Sequence, residues 1–314
     1  MRSGWIVAAA LLLSGCIIGD FGQSDRYQAD FHYSWDLKPG GRVNVEGFNG
    51  SIEVTGWDQD KVDVNGTKFG STEELRDSIR IDTHNTPDSI DIRAVRPSVG
   101  TGGHMGGMGT RYTVRVPRKA VLDRITTSNG SIRVHDVAAA EHLKSSNGTI
   151  RLENVDGDVE AHTSNSSIEL DSVGGAARLR TSNGHIRAEN VKGTCDAQTS
   201  NSSISVRTED ATDSPVRLVS SNGSITLTLT KPPKGNIRAQ TSNSSITLHL
   251  PANSSGRLTA DTSNSSISSD FDVLTTTHDD RRKKHLEGVI GNGGPSIDLL
   301  TSNGHIQILK ANAD

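Results

Sequence analysis

The sequence predicts an all-β protein: a single-stranded, right-handed parallel β-solenoid (β-helix) of 18–21-residue coils, with an irregular β cap at its N-terminal end. Three observations carry this reading. One phrase recurs nine times, from TSNGSIRV at Thr127 to TSNGHIQI ending at Ile308. Its asparagines (Asn129, Asn147, Asn165, Asn183, Asn201, Asn222, Asn243, Asn264 and Asn303) are spaced by 18 residues four times, by 21 three times and finally by 39. A fixed period of that size belongs to stacked coils rather than to a globule. Three residues after every asparagine stands an isoleucine, from Ile132 to Ile306, and such a column must point inward.

Within a coil, Ile150, Leu152, Val155, Val159 and Ala161 alternate with Arg151, Glu153, Glu160 and His162. Period-two alternation in runs this short is a strand signal, so each coil holds two or three short strands. The Asn-Gly or Asn-Ser step is expected to supply the left-handed backbone conformation that turns one strand into the next. Stacking places equivalent residues ~4.8 Å apart, so the nine asparagines are expected to form a hydrogen-bonded ladder. A left-handed helix of hexapeptides would need aliphatic residues six and twelve positions after the isoleucine. The chain has Ala138, Asp156, Gly174 and Lys192, then Lys144, His162, Arg180 and Gln198, so that pattern is absent. Parallel crossovers are right-handed in nearly all cases, which fixes the expected hand.

Taken in order, residues 1–15 read as a lipoprotein signal peptide. Arg2 is basic, Ile6 to Leu13 is apolar but too short to span a bilayer, and Leu13-Ser14-Gly15-Cys16 is a lipobox with Cys16 as the lipidation site. More than one acyl chain there would anchor the protein stably, and Ile17 and Ile18 carry no inner-membrane retention signal. The expected location is the cell envelope, on the outer membrane where two membranes exist. Residues 16–36 read as a spacer behind the lipid anchor. Residues 37–120 read as the irregular β cap, with strand-like runs between Pro-Gly, Asn-Gly and Pro-Asp turns. Phe48-Asn49-Gly50-Ser51-Ile52 is already a degenerate copy of the phrase, and Ser71 with Glu74 has capping-box spacing for a short helix.

Residues 121–314 are the solenoid, with an insertion near 279–288. The polar run DDRRKKHLEG there is expected to project as a loop or hairpin tip. Residues 100–109, GTGGHMGGMG, are expected to form a glycine loop. His104, Met105 and Met108 would suit Cu(I), but the plain loop is the simpler reading and no metal site or cofactor is expected. With Cys16 acylated, Cys195 has no disulfide partner, and it replaces an inward valine of the repeat.

Lysine and arginine number 33 against 37 acids, and a net charge of -4 argues against a nucleic-acid partner. Polysaccharide lyases and hydrolases need clustered carboxylates, yet Glu160, Glu169, Asp196 and Asp261 fall on different coils without a partner in the repeat frame. No catalytic residue is expected. The outward positions before each phrase instead carry Arg124, His142, Lys144, His162, Arg178, Arg180, Arg217 and Arg238, set against Glu160, Asp196, Asp261 and Asp298. A lane of cations at the coil spacing could track an anionic envelope polymer, an acidic glycan or a protein partner.

The lipobox, the early GRVNVEGFNGSIEVTGWD, the serial TSNGSI phrases and the late LEGVIGNGGPSIDLLTSNGHIQI together resemble the bacterial DUF4097 family of proposed adhesins, over roughly Gly41 to Leu309. The resemblance implies a solenoid lipoprotein and supplies no catalytic motif. It implies an adhesin-like role in presenting a repetitive binding surface. The alternatives are an envelope-stress sensor or scaffold, since some members belong to such systems, and a carbohydrate-active β-helix enzyme.

Overall fold

In the computed structural model the residues described are 25–96, 107–208, 214–275 and 284–311. Signal peptide, Cys16, His104, Met105 and Arg281 to Lys283 lie outside them. The N-terminal region contributes β1 (Tyr27–Asp36), β2 (Arg42–Glu46), β3 (Ile52–Trp57), β4 (Lys61–Gly70), α1 (Glu73–Asp77), β5 (Arg80–Asn85), β6 (Ser89–Val95) and β7 (Met108–Pro117). The repeats then alternate between two sheets. One sheet receives β8 (Val121–Thr126), β10 (Ala139–Lys144), β12 (Val159–His162), β14 (Ala177–Arg180), β16 (Cys195–Thr199), β18 (Val216–Ser220) and β20 (Ile237–Gln240). The other receives β9 (Ile132–Val137), β11 (Ile150–Val155), β13 (Ile168–Val173), β15 (Ile186–Val191), β17 (Ile204–Thr208), β19 (Ile225–Leu229) and β21 (Ile246–Leu250). The chain closes with β22 (Gly256–Thr262), β23 (Ile267–Ser269), β24 (Val273–Leu274), β25 (His285–Ile290), β26 (Ser296–Thr301) and β27 (Ile306–Lys310).

The fold is thus a β-solenoid in which every rung gives one strand to a 13-stranded sheet and one to a 14-stranded sheet, paired in parallel with the rungs on either side. At ~4.8 Å per strand the stack is roughly 60 Å long. The isoleucine column is in register, Ile132↔Ile150↔Ile168↔Ile186↔Ile204↔Ile225↔Ile246↔Ile306, and all of these side chains are buried. Ile267 alone is only partly buried, because β23 is the outermost strand of its sheet. Aliphatic side chains from both sheets form one core, and Cys195 takes an inward place in it. Burial pushes its thiol up to about 12, so it behaves as a small apolar side chain.

The turn phrase is held by two ladders. In the first, each asparagine donates Nδ2 to the Oδ1 of the rung before. The file runs unbroken from Asn49 through Asn129 to Asn243, then to Asn303 and last to Asn264. Eight of the bonds measure 2.6–2.8 Å. Asn49 ends it by donating to the Met108 carbonyl at 2.9 Å. In the second, the buried hydroxyl that opens each phrase donates to a backbone carbonyl of the preceding rung, as Ser145 does to Gly130 and Thr181 to Ser166, both at 2.9 Å. In four of the phrases the same hydroxyl also accepts from the glycine amide three residues on, as Ser145 Oγ does from Gly148 N at 2.9 Å. Buried backbone groups that no strand satisfies are thereby satisfied. The invariant Thr or Ser at the first position is the sequence signal for this second ladder.

Several expectations need correction. The repeated Asn-Gly and Asn-Ser steps from Asn129 onward do not supply positive φ. The left-handed residues are Asp136, Asn154, Ser172 and Asn190, at φ of 55–60°, where a strand of one sheet bends into the next rung of the other. These four stand in the arcs that close the four 18-residue intervals; in the 21-residue coils a longer arc replaces them. The spacer reading fails from Tyr27 onward. β1 pairs antiparallel with β4, and its Phe31, Tyr33 and Trp35 pack against the core because YQADFHYSW already alternates at period two. The helix cap is Thr72, whose hydroxyl accepts from Leu75 N, one residue later than the spacing implied. Met108 is not in a loop but buried at the start of β7. The insertion is strand from His285: β25 pairs antiparallel with β22 and β24 and covers the end of the stack.

The largest departure is in rung order. The last copy of the phrase does not lie at the end of the stack. β27 sits between β21 and β23, and β26 between β20 and β22, so the final rung in sequence is the penultimate rung in space. The N-terminal end does the same in reverse. β2 lies between β6 and β8 and β3 between β7 and β9, so the first rung is covered by strands that follow it. Both terminal rungs are tucked one layer inside; three of the four sheet ends are closed by antiparallel strands, as an edge requires, and the fourth ends at the short parallel strand β23.

Candidate binding surface

The outward residues of β8, β10, β12 and β14 line a groove of about 450 Å³. Its floor is flat strand, because every second residue of each strand must point away from the core. The position three before the asparagine carries Thr126, Lys144, His162 and Arg180 in register. The position two earlier carries Arg124, His142, Glu160 and Arg178 on the same four strands. A bulge in β10 between Ala140 and Leu143 shifts the register there.

The structure separates the sequence-predicted cations. Lys144 and Arg178 have no ion pair among the described residues. Arg180 lies 3.6 Å from Asp196, which also binds Arg217 at 3.1 Å, so this carboxylate closes the cationic run on the C-terminal side. Arg124 approaches Glu46 at 3.5 Å on the other side. Arg238 is far along the stack on β20, opposite Arg217 and Asp298, and donates to Gln240. The lane is therefore a groove of Arg124, Lys144, Arg178 and Arg180, with Arg217 and Arg238 outside it. Burial, then Lys144 and Arg180 on the flanking rungs, hold His162 below the usual imidazole range against a smaller opposing pull from Glu160, so it is neutral at pH 7.

Beside the groove, Asp123, Glu141 and His142 bring one ligand atom each within 4.8 Å of one another. The Arg42 guanidinium bridges the two carboxylates at 3.2 and 3.1 Å, so a side-chain cation already fills the place a metal would take. Sequence reasoning missed Arg42, which is 81 residues from Asp123 in the chain and reaches it only because β2 pairs with β8.

The opposite sheet carries a shallower concavity over β11, β13 and β15. Glu153, Asp171 and Glu189 stand in register there on consecutive rungs, a carboxylate file that the sequence reading did not single out although its spacing is 18 residues. Each already has a partner: His135 at 3.1 Å for Glu153, Ser172 and Asn190 for Asp171, and Arg187 for Glu189. Glu169 is likewise bound by Arg151. Each carboxylate of this file already has a partner, whereas the groove on the other sheet keeps unpaired positive charge.

Two solved structures align with most of this chain. One, described as a "putative adhesin" from Bacteroides fragilis, shares 13% identity over 90% of this chain and 97% of its own, with a TM-score of 0.34. The other, a "putative cell adhesion protein" from Clostridium sporogenes, shares 8% identity over 90% of this chain and 100% of its own, with a TM-score of 0.21. No curated protein matches the chain. The family profile described as Toastrack DUF4097 matches residues 42–309, from the first strand of the first rung to the last strand of the final one, and this chain belongs to that family.

Proposed function

We propose that this protein is a non-enzymatic, lipid-anchored component of the cell envelope whose solenoid presents a binding surface for an anionic polymer. The observation that carries the reading is the groove over β8 to β14. There Lys144 and Arg178 stand without a salt bridge among the described residues, on a rigid strand floor that carries cations on β8, β10 and β14. Fixed strands hold the positive charges in place before a ligand arrives, so little ordering is lost on binding. Lipidation at Cys16 would tether the chain to the membrane from its N-terminal side.

Exchanging both unpaired cations, Lys144→Glu with Arg178→Glu, is expected to reduce retention of the protein on an acidic polysaccharide matrix roughly tenfold or more at low salt. Arg238→Glu, outside the groove, is expected to change it little. Retention of the unaltered protein should also fall as salt rises, because exposed charges are screened. Equal retention of the double variant and the unaltered protein would dispose of the reading.

A further inference from the structure

Resting on that anion-binding reading, we infer that the groove is graded for an acidic glycan lying along the solenoid axis with a carboxylate on every second sugar. The rungs are not equivalent. β10 offers the ammonium of Lys144, β14 offers the guanidinium groups of Arg178 and Arg180, and β12 between them offers Glu160 and His162. The sequence cation, neutral-or-acidic, cation therefore runs across three rungs. Lys144 and Arg180 are in register two rungs apart, which places their strands ~9.6 Å from one another.

An extended glycan advances about one rung spacing per pyranose ring. A chain that alternates acidic and neutral sugars would set its carboxylates over β10 and β14 and its uncharged sugar over β12. There the Glu160 carboxylate accepts hydrogen bonds from sugar hydroxyls, and the neutral imidazole of His162 donates one and accepts another. A chain charged on every residue would force one carboxylate against Glu160, a like-charge contact that costs affinity. No Phe, Tyr or Trp lines the groove, so ring stacking cannot override this charge pattern. Asp196 beyond β14 is held by Arg180 and Arg217, and Arg124 on β8 approaches Glu46, so the groove cations without an ion pair among the described residues are Lys144 on β10 and Arg178 on β14.

The test is calorimetric titration of the full chain, near neutral pH and at low salt, with two oligosaccharides of equal length. Hyaluronan oligosaccharide carries a carboxylate on alternate residues, and oligogalacturonate carries one on each. Hyaluronan is expected to bind at least roughly fivefold more tightly than oligogalacturonate. Glu160→Gln is expected to strengthen oligogalacturonate binding about fivefold while leaving hyaluronan within about twofold, which removes the preference. Oligogalacturonate binding as tightly as hyaluronan in the unaltered chain would overturn the inference, as would a Glu160→Gln effect equal for both, and either result would leave the anion-binding reading standing. Binding of neither oligosaccharide, with Lys144→Glu and Arg178→Glu equally without effect on polyanion retention, would remove both.

Discussion

Ile306→Ala, in the last copy of the phrase, is expected to destabilise the protein by about 2–5 kcal/mol, the range for emptying a filled core position. Ile267→Ala, one copy earlier in the chain, is expected to cost less than half as much. The chain order alone would give the opposite result, because the final coil of a solenoid is ordinarily its exposed end. Here Ile306 is fully buried, with Ile246 on one side and Ile267 on the other, whereas Ile267 has a rung on only one side and keeps part of its surface in water. Removing methyl groups from Ile306 leaves a cavity between two rungs that are held apart by their own backbone ladders and cannot close over it. Removing them from Ile267 lets solvent fill the space. Urea unfolding of the two variants side by side measures the difference.

The second large effect concerns the residue after the asparagine. At Gly184 a Cβ would fall 1.7 Å from the Ser166 carbonyl oxygen and 2.2 Å from its carbon, both backbone atoms of the rung below. Relief requires the rungs to separate, which strains the Asn183 to Asn165 bond and the hydroxyl bond of Thr181 to that same carbonyl. Gly184→Ala is therefore expected to cost about 3 kcal/mol, at the top of the usual overpacking range. Ser202→Ala, at the equivalent place in the next rung, keeps a Cβ that is already accommodated, removes only the hydroxyl and is expected to cost less than about 1 kcal/mol. The same substitution product in adjacent rungs should thus lower the melting temperature sharply in one case and barely in the other.

These glycines also show what the sequence could have disclosed. From Gly148 onward the position reads, in stack order, Ser166, Gly184, Ser202, Gly223, Ser244, Gly304, Ser265, a strict alternation of glycine and serine. In chain order the alternation breaks at Ser244 and Ser265. The exchanged rung was written there, but each coil's own pattern reports only which residues point inward and says nothing of its neighbours. What was legible was what one rung determines by itself: the strands, the buried isoleucine column, the asparagine file and the inward place of Cys195. The turn conformation was misread because Asn-Gly is an ordinary left-handed turn signal. Between rungs the amide and hydroxyl ladders hold that step at ordinary φ, and the left-handed residue moves to Asp136 and its equivalents.

The groove was legible to the same extent. The cations of the outward positions follow from alternation, and their identities are those the sequence named. Their pairing is not a property of one rung. Arg217 reaches Asp196 across an interval of 21 residues, and Arg42 reaches Asp123 and Glu141 from the first rung. Those contacts decide which charges remain to meet a ligand, so Arg217 leaves the candidate set while Lys144 and Arg178 become its centre.

Disulfide trapping addresses the stacking order most directly. Thr247 and Gln307 are register partners in neighbouring strands, as are Gln307 and Ser268, while Thr247 and Ser268 are separated by the whole intervening rung. Neighbouring parallel strands place Cα atoms within the roughly 4.4–6.8 Å that a disulfide spans, and a two-rung gap of ~9.6 Å exceeds it. Oxidation should join cysteines in Thr247→Cys with Gln307→Cys and in Gln307→Cys with Ser268→Cys, and leave Thr247→Cys with Ser268→Cys as free thiols. Efficient bridging of positions 247 and 268, with none between 247 and 307, would contradict the arrangement of rungs described above.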